Sequence, residues 1–313
     1  FNYTVAVLSL IILKKLNLER QCFRIILRVH LELLIIISYK MCIIFMYNGS
    51  LDSNSDYSLI LASNRDEYYD RPSQRMGPWD KDHNTYGGID LAAPCQGTWL
   101  AFSKSYKKFG AMLNIPGTAK TTETSRGKVL KEYIMTDISA DKFIEDINDY
   151  SQNCNQFILV SVTFDGNLTP VIQTYNNVTN RLDTWNEKYV GFSNTVPGTC
   201  LTKVKGGLKM FQNVCERFSK EEQRDQLTEE LFNILKCREK HLPDEVLELA
   251  KPDSYELFSS IFVAIPKIRY GTRTHTLLLV TKSGHVNIIE STMEPPIDTS
   301  KPNWIKTNYE CKL

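Results

Sequence analysis

The sequence predicts an α+β fold: two mainly antiparallel sheets stacked face to face with helices outside, an αββα sandwich of four layers. Three observations predict it. Short apolar strands arrive in pairs joined by turn residues. Helices come in two blocks rather than after every strand, which argues against a parallel βαβ layout. Several strands are apolar throughout instead of alternating, as strands covered on both faces are.

Taken in order, residues 43–47 and 57–63 are apolar runs rich in β-formers, separated by Asn48-Gly49 and a Ser/Asp/Asn stretch, and they form a hairpin. Residues 74–95 lack periodicity and carry Gly77-Pro78 and Gly87-Gly88; they read as a long surface loop, where function often sits. Residues 98–103 and 110–114 supply the next strand pair. Ser125 precedes Val129, Leu130, Tyr133 and Ile134, spaced for one helical face, and Ser139 caps a helix carrying Phe143, Ile144 and Ile147. Strands resume at 157–164 and 171–175 across the turn Asp165-Gly166-Asn167. A second helical block covers 208–218 and 227–237, with Leu231, Ile234 and Leu235 as its buried stripe. Strands at 260–265, 274–281, 286–291 and 304–309 close the chain, the middle two joined by Ser283-Gly284.

Residues 1–40 differ from the rest. Lys14, Lys15, Glu19, Arg20, Arg24 and Arg28 break every stretch below the roughly 20 apolar residues a membrane span needs. The segment is basic and poor in acids, as a mitochondrial presequence is, but scarce in serine. A Phe start, no methionine before Met41 and an Ile/Leu-heavy makeup point first to translated non-coding sequence. The expectation is a leader at 1–40 and a single domain at 41–313, with translation starting at Met41. The small Cys42 side chain would then favour removal of that methionine, leaving a thiol beside a free α-amine, the equipment of an N-terminal nucleophile.

Of 37 basic and 36 acidic residues, six basic and two acidic lie in the first forty, which leaves 31 and 34 downstream, a net of −3. That near-neutral body excludes a nucleic-acid footprint. The eight cysteines contain no C-x-x-C pair, which favours a reducing compartment, cytosol or mitochondrial matrix. Sequons at Asn48, Asn167 and Asn177 matter only in the secretory lumen. His83, His241, His275 and His285 lie far apart in sequence, so no metal site is expected.

The run Leu61-Ala62-Ser63-Asn64-Arg65-Asp66-Glu67-Tyr68-Tyr69-Asp70-Arg71-Pro72 places four polar residues directly after an apolar strand. This resembles the NRDE family, that of the transport and Golgi organization protein 2 homologues. The resemblance extends over nearly all of 41–313, through Met41-Cys42-Ile43-Ile44-Phe45, Gly97-Thr98-Trp99-Leu100, Ser125-Arg126-Gly127, Gly191-Phe192-Ser193-Asn194, Tyr270-Gly271-Thr272-Arg273-Thr274, Trp304 and Tyr309-Glu310. Three positions depart from the family pattern. Gln96 stands where a second glycine is usual, Leu201 and Lys203 replace a tryptophan–basic pair, and His275 replaces an asparagine.

The resemblance implies kinship with the N-terminal nucleophile (Ntn) hydrolases, whose cysteine amidases use an N-terminal Cys, an Arg and an Asp that position it, two Asn as oxyanion donors and a late Arg. Carried over, these are Cys42, Arg65, Asp66, Asn114, Asn194 and Arg273. The same residues also admit structural readings: a small buried cysteine, an Arg65–Asp66–Glu67 network with Arg71, turn asparagines, and an Arg273 that needs a carboxylate partner such as Asp66 or Glu67. The resemblance further implies a cytoplasmic protein, mitochondrial or Golgi-associated in some settings, that supports Golgi organisation and secretion by handling a hydrophobic metabolite. Haem or an acyl-CoA lipid would be its cargo, with no cofactor required. The alternative is an N-terminal cysteine amidohydrolase.

Overall fold

The computed structural model describes residues 41–313 except 93, 118–119 and 121–123; the leader expected at 1–40 lies outside the described residues. The first sheet contains β1 (Ile43–Asn48), β2 (Tyr57–Tyr68), β10 (Tyr189–Ser193), β11 (Ala264–Ile265), β12 (Tyr270–Thr281), β13 (His285–Met293) and β14 (Trp304–Lys312). Its order is β10-β1-β2-β12-β13-β14, with β11 appended to β12. The second contains β3 (Ser73–Trp79), β4 (Asp82–Asp90), β5 (Leu100–Ser103), β6 (Lys108–Asn114), β7 (Phe157–Phe164), β8 (Pro170–Asn176) and β9 (Arg181–Trp185), paired in sequence order. The pairings are antiparallel.

The helices are α1 (Arg126–Ile134), α2 (Ala140–Asp146), α3 (Asn148–Asn153), α4 (Thr202–Arg217), α5 (Arg224–Leu235) and α6 (Glu245–Ala250). Three cores separate the four layers. Phe45, Tyr47, Ile60, Ala62 and Leu277 pack beneath Phe211, Leu227 and Leu231 of α4 and α5. Ile44, Met46, Leu59, Leu61 and Leu278 meet Leu100, Phe102, Phe109 and Val160 between the sheets. Ala101, Met112 and Leu159 pack under Val129, Leu130, Tyr133 and Ile134 of α1. Neighbouring residues of β1 and of the first half of β2 thus enter different cores, so residues 43–47 and 59–62 are continuous apolar runs.

Four expectations change. Residues 74–95 are not a loop: β3 and β4 form a hairpin at the open edge of the second sheet. Only Met76, Trp79, Thr85, Gly87 and Gly88 of the two strands are buried, so the alternation is too sparse to see. Pro78 is tolerated on an edge strand. The polar motif does not follow β2 but forms its last turn-ward half, through Tyr68. The helix expected at 208 begins at Thr202, and the strand expected at 260–265 is regular only at Ala264–Ile265. Ile261 and Val263 are buried there without forming a ladder. Strands β9 and β10 and helices α3 and α6 are additional to those expected.

Candidate functional site

A cavity of about 290 Å³ opens where the start of β1 and the end of β2 meet β5, β6 and the N-terminus of α1. Cys42, Arg65, Asp66 and Glu67 line one side, Trp99, Met112 and Asn114 the other, and Arg71, Asp90 and Arg126 also border it. Strand alternation decides which motif residue faces where. Leu59 and Leu61 point between the sheets, Ile60 and Ala62 toward the helices. With a period of two, Arg65 and Glu67 follow the first pair while Asn64 and Asp66 follow the second.

The contacts agree with that division. The Arg65 guanidinium lies 3.8 Å over the Trp99 ring and 3.8 Å from Glu67, whose carboxylate is 3.6 Å from Arg71. Arg71 in turn donates to both oxygens of Asp90, at 3.1 and 2.7 Å. Asn64, on the opposite face, donates through Nδ2 to the carbonyls of Leu235 (2.8 Å) and Ile261 (3.0 Å), and its Oδ1 lies 2.6 Å from His275 Nδ1. His275 stacks on Trp304, 4.7 Å between ring centres.

Asp66 joins the two faces. Its backbone N–H donates to Cys42 Sγ at 3.4 Å and its Oδ1 accepts from Thr272 Oγ1 at 2.6 Å. Its Oδ2 is buried with no hydrogen-bond partner among the described residues. Around Cys42 the backbone is tightly held. The Cys42 carbonyl accepts from Ser193 Oγ at 2.7 Å, the Met41 N–H donates to Tyr270 Oη at 3.0 Å, and the Met41 carbonyl accepts from Lys203 Nζ at 3.4 Å. Lys203, on α4, is itself fully buried and also donates to the Ser260 carbonyl at 3.3 Å.

These surroundings set the protonation states. Burial, reinforced by the nearby Asp66 carboxylate, pushes the Cys42 thiol up to about 12. Burial also raises the Asp66 carboxyl to about 7, against the pull of the Lys203 charge and the Thr272 bond. The Lys203 ammonium is pushed down by burial and partly held up by Asp66. With Met41 still attached, Cys42 is therefore a thiol at neutral pH, and reaction at sulfur requires a base.

Of the six residues implied by the resemblance, the structure gathers Cys42, Arg65, Asp66 and Asn114 on the cavity wall. Asn194 sits behind, its Nδ2 donating to the Asn114 carbonyl at 2.6 Å. Arg273 is the extra residue of a β-bulge between Thr272 and Thr274, and bulges re-aim side chains. Its guanidinium donates to the carbonyls of Tyr68 (3.0 Å) and Arg71 (2.7 Å), where a carboxylate partner was expected. Burial and the charge of Arg65 push it down to about 10. Sequence reasoning passed over Trp99, Arg126 and Lys203 as site residues. Lys203 carried a signal: it shares an i, i+4, i+8 row with Gly207 and Phe211, a charge on an otherwise buried helix stripe.

Among the described residues no group of three His, Cys, Asp or Glu side chains is placed to hold a metal ion, and no helix is long and apolar enough to cross a membrane.

A family model described as Transport and Golgi organisation 2 matches residues 41–295, in line with the resemblance carried by the motifs. The chain is 31% identical over 283 residues to Transport and Golgi organization protein 2 of Drosophila melanogaster, covering 86% of this chain and 98% of that protein. It is 29% identical over 287 residues to the homolog of Bos taurus (87% and 99%) and 29% over 285 residues to the homolog of Homo sapiens (87% and 99%).

Proposed function

Because the chain belongs to the Transport and Golgi organisation 2 family, we propose that it serves transport and Golgi organisation, and that it does so as an N-terminal cysteine amidohydrolase acting on a small polar molecule. The observation that carries the chemical part is the unpartnered, buried Oδ2 of Asp66, on the residue whose N–H holds the Cys42 sulfur. A free, neutral α-amine at Cys42 would become the missing cation there once it has taken a proton. That amine is also the base the thiol lacks. It takes the thiol proton as Sγ attacks the amide carbonyl, and the ammonium returns a proton to the departing amine as the C–N bond breaks. Asn114, at the end of β6, would donate to the developing oxyanion, a contribution worth on the order of 10²–10³ in rate. Water then cleaves the thioester, releasing the acid and restoring the thiol.

The test is the first residue of the full chain as its source makes it, read by intact mass, together with thiol reactivity toward iodoacetamide at low excess. A polypeptide beginning at Cys42, with Cys42 alkylated first, is expected. A retained Met41, or a Cys42 slower than the exposed Cys200, refutes the amidohydrolase.

A second reading, transport of haem or an acyl-CoA lipid, draws support from a different feature. An apolar cavity of about 240 Å³ lies by β10 and α4, lined by Trp185, Val190, Phe192, Val204 and Leu208. It is smaller than the ~300–1,000 Å³ typical of drug-sized ligands, which suits a short alkyl segment better than a porphyrin. Equilibrium binding of haem and of palmitoyl-CoA to the full chain decides it; saturable binding of neither removes it.

A further inference from the structure

The charge on the cavity wall is unevenly compensated. Arg71 is committed to Asp90 and Glu67. Arg126, the first residue of α1, donates to the Gln156 carbonyl at 2.8 Å, and among the described residues no carboxylate lies within ion-pair distance of it. Beside it the Ser125 N-cap makes no side-chain capping bond; the Lys128 N–H donates to the Ser125 carbonyl at 3.2 Å, which leaves the N–H groups of Arg126 and Gly127 and the positive end of the helix dipole available among the described residues. Gly97 and Gly127 bring that turn to the cavity: a Cβ on Gly97 would lie 2.6 Å from the Gly127 backbone, which leaves no room for a side chain there, and one on Gly127 would lie 3.0 Å from the Gly97 Cα. Ser125, Arg126 and Gly127 all line the cavity.

Two polarities therefore share one small space. The Cys42 end holds the buried Asp66 carboxyl, whose unpartnered oxygen is the one the Cys42 α-amine would take. The α1 end offers a guanidinium that has no carboxylate partner among the described residues, and a helix N-terminus. Trp99 and Met112 supply the limited apolar surface in between.

We propose that the molecule processed here is a carboxylate-bearing amide, of the N-acyl amino acid kind, whose carboxylate is bound by Arg126 and the first turn of α1. The proposal rests on the amidohydrolase reading for the bond that breaks, but the recognition of the anion stands apart from it. Hydrolysis forms the Sγ–acyl bond and expels the amine with the proton held at Cys42; water then splits the thioester, so an acid and an amino acid are the products.

Binding and turnover separate the two claims. Calorimetric titration of the full chain with N-benzoylglycine and with uncharged N-benzoylglycinamide, and of the Arg126→Gln variant with both, reads the anion site. N-benzoylglycine should bind at least tenfold more tightly than the neutral amide, with affinity falling as salt is raised. Arg126→Gln should erase that tenfold difference, and Arg126→Lys should restore part of it. Thermal unfolding of the variants confirms that they fold. Equal affinity for the two compounds, no binding of either, or a preference unchanged in Arg126→Gln overturns the proposal. Inorganic phosphate that competes equally well at the same concentration also overturns it, because the site would then be a general anion site. Charge-selective binding without release of benzoate by protein beginning at Cys42 leaves the anion site standing and removes the amidohydrolase.

Discussion

Glu290 offers a measurable test of the electrostatics between the sheets. It lies on β13, is 1% exposed, and its Oε1 accepts from the Met76 N–H of β3 at 2.9 Å, while its Oε2 has no partner. Burial pushes the carboxyl from 4.5 up to about 7, against the Met76 bond and the charges of Arg65 and Arg75. The sign follows from proton counting. Between those two values the folded state holds a proton that the unfolded state has released, so stability falls as pH rises through that window and levels off above it. Each pKa unit is worth about 1.4 kcal/mol, so the loss attributable to this side chain is about 3 kcal/mol. Glu290→Gln keeps the acceptor for Met76 and places N–H donors where the protonated carboxyl has its hydroxyl. The variant should match the parent near pH 5 and exceed it by about 3 kcal/mol near pH 8, a shift of roughly 5–10 °C in Tm for a domain of this size. Urea or thermal unfolding at pH 5, 6, 7 and 8 reads the difference directly. Contributions from other raised groups such as Asp66 are common to both proteins and cancel. Parallel stability profiles across that range would refute the reasoning.

Three further perturbations probe the scaffold. Asn64→Ala removes two donors to buried carbonyls and the partner of His275, and should cost at least about 3 kcal/mol in chemical denaturation, since orphaned buried groups cost about 1–3 kcal/mol each; a loss under about 1 kcal/mol would show that these bonds are replaceable. Gln96 has φ +46°, the left-handed region that disfavours side chains, so Gln96→Gly should raise stability by about 0.5–1 kcal/mol, and a lower Tm would contradict this. Gly207→Ala would set a Cβ 2.4 Å from the Phe45 ring and 2.9 Å from Ile261 Cδ1, and should cost about 1–3 kcal/mol by overpacking the α4–β1 contact; an unchanged unfolding midpoint would show that Phe45 yields freely.

The parts of the fold readable in the sequence are those where burial and ladder coincide. The apolar runs 43–47 of β1, 59–62 of β2, 277–280 of β12 and 288–289 of β13 lie where both faces are covered, and α1 buries the four residues its spacing marks, Val129, Leu130, Tyr133 and Ile134. The edge hairpin β3–β4 and the edge strand β9, in which no residue is buried, have solvent on much of their surface and so lack the apolar code. The opposite error arose at Ile261-Phe262-Val263, where three buried apolar residues pack without pairing. At the site, the motif and Cys42 were legible as a cluster because strands β1 and β2 are neighbours in both sequence and space. Trp99, Arg126 and Lys203 reach the same place through other layers, and no local pattern records such an approach.

The motif itself is two devices interleaved on one strand. Asn64 and Asp66 face the helical layer, where Asn64 fastens the end of α5 and the 261 segment to the sheet and Asp66 faces the charge of Lys203. Arg65 and Glu67 face the second sheet and shape the cavity beside Trp99 and Arg71. Substitutions at adjacent motif positions should therefore act through different properties. An Asn64 change lowers the folded population, because the lost bonds join layers of the core. An Arg65 change alters the cavity wall, its ion pair with Glu67 being long and its main contact a ring face. Asp66 alone belongs to both sets, since its backbone holds the Cys42 sulfur while its carboxyl is buried beside Lys203. A loss of function at Asp66 must be read with the folded fraction measured alongside, whereas one at Arg65 in a protein of normal stability reports on the cavity.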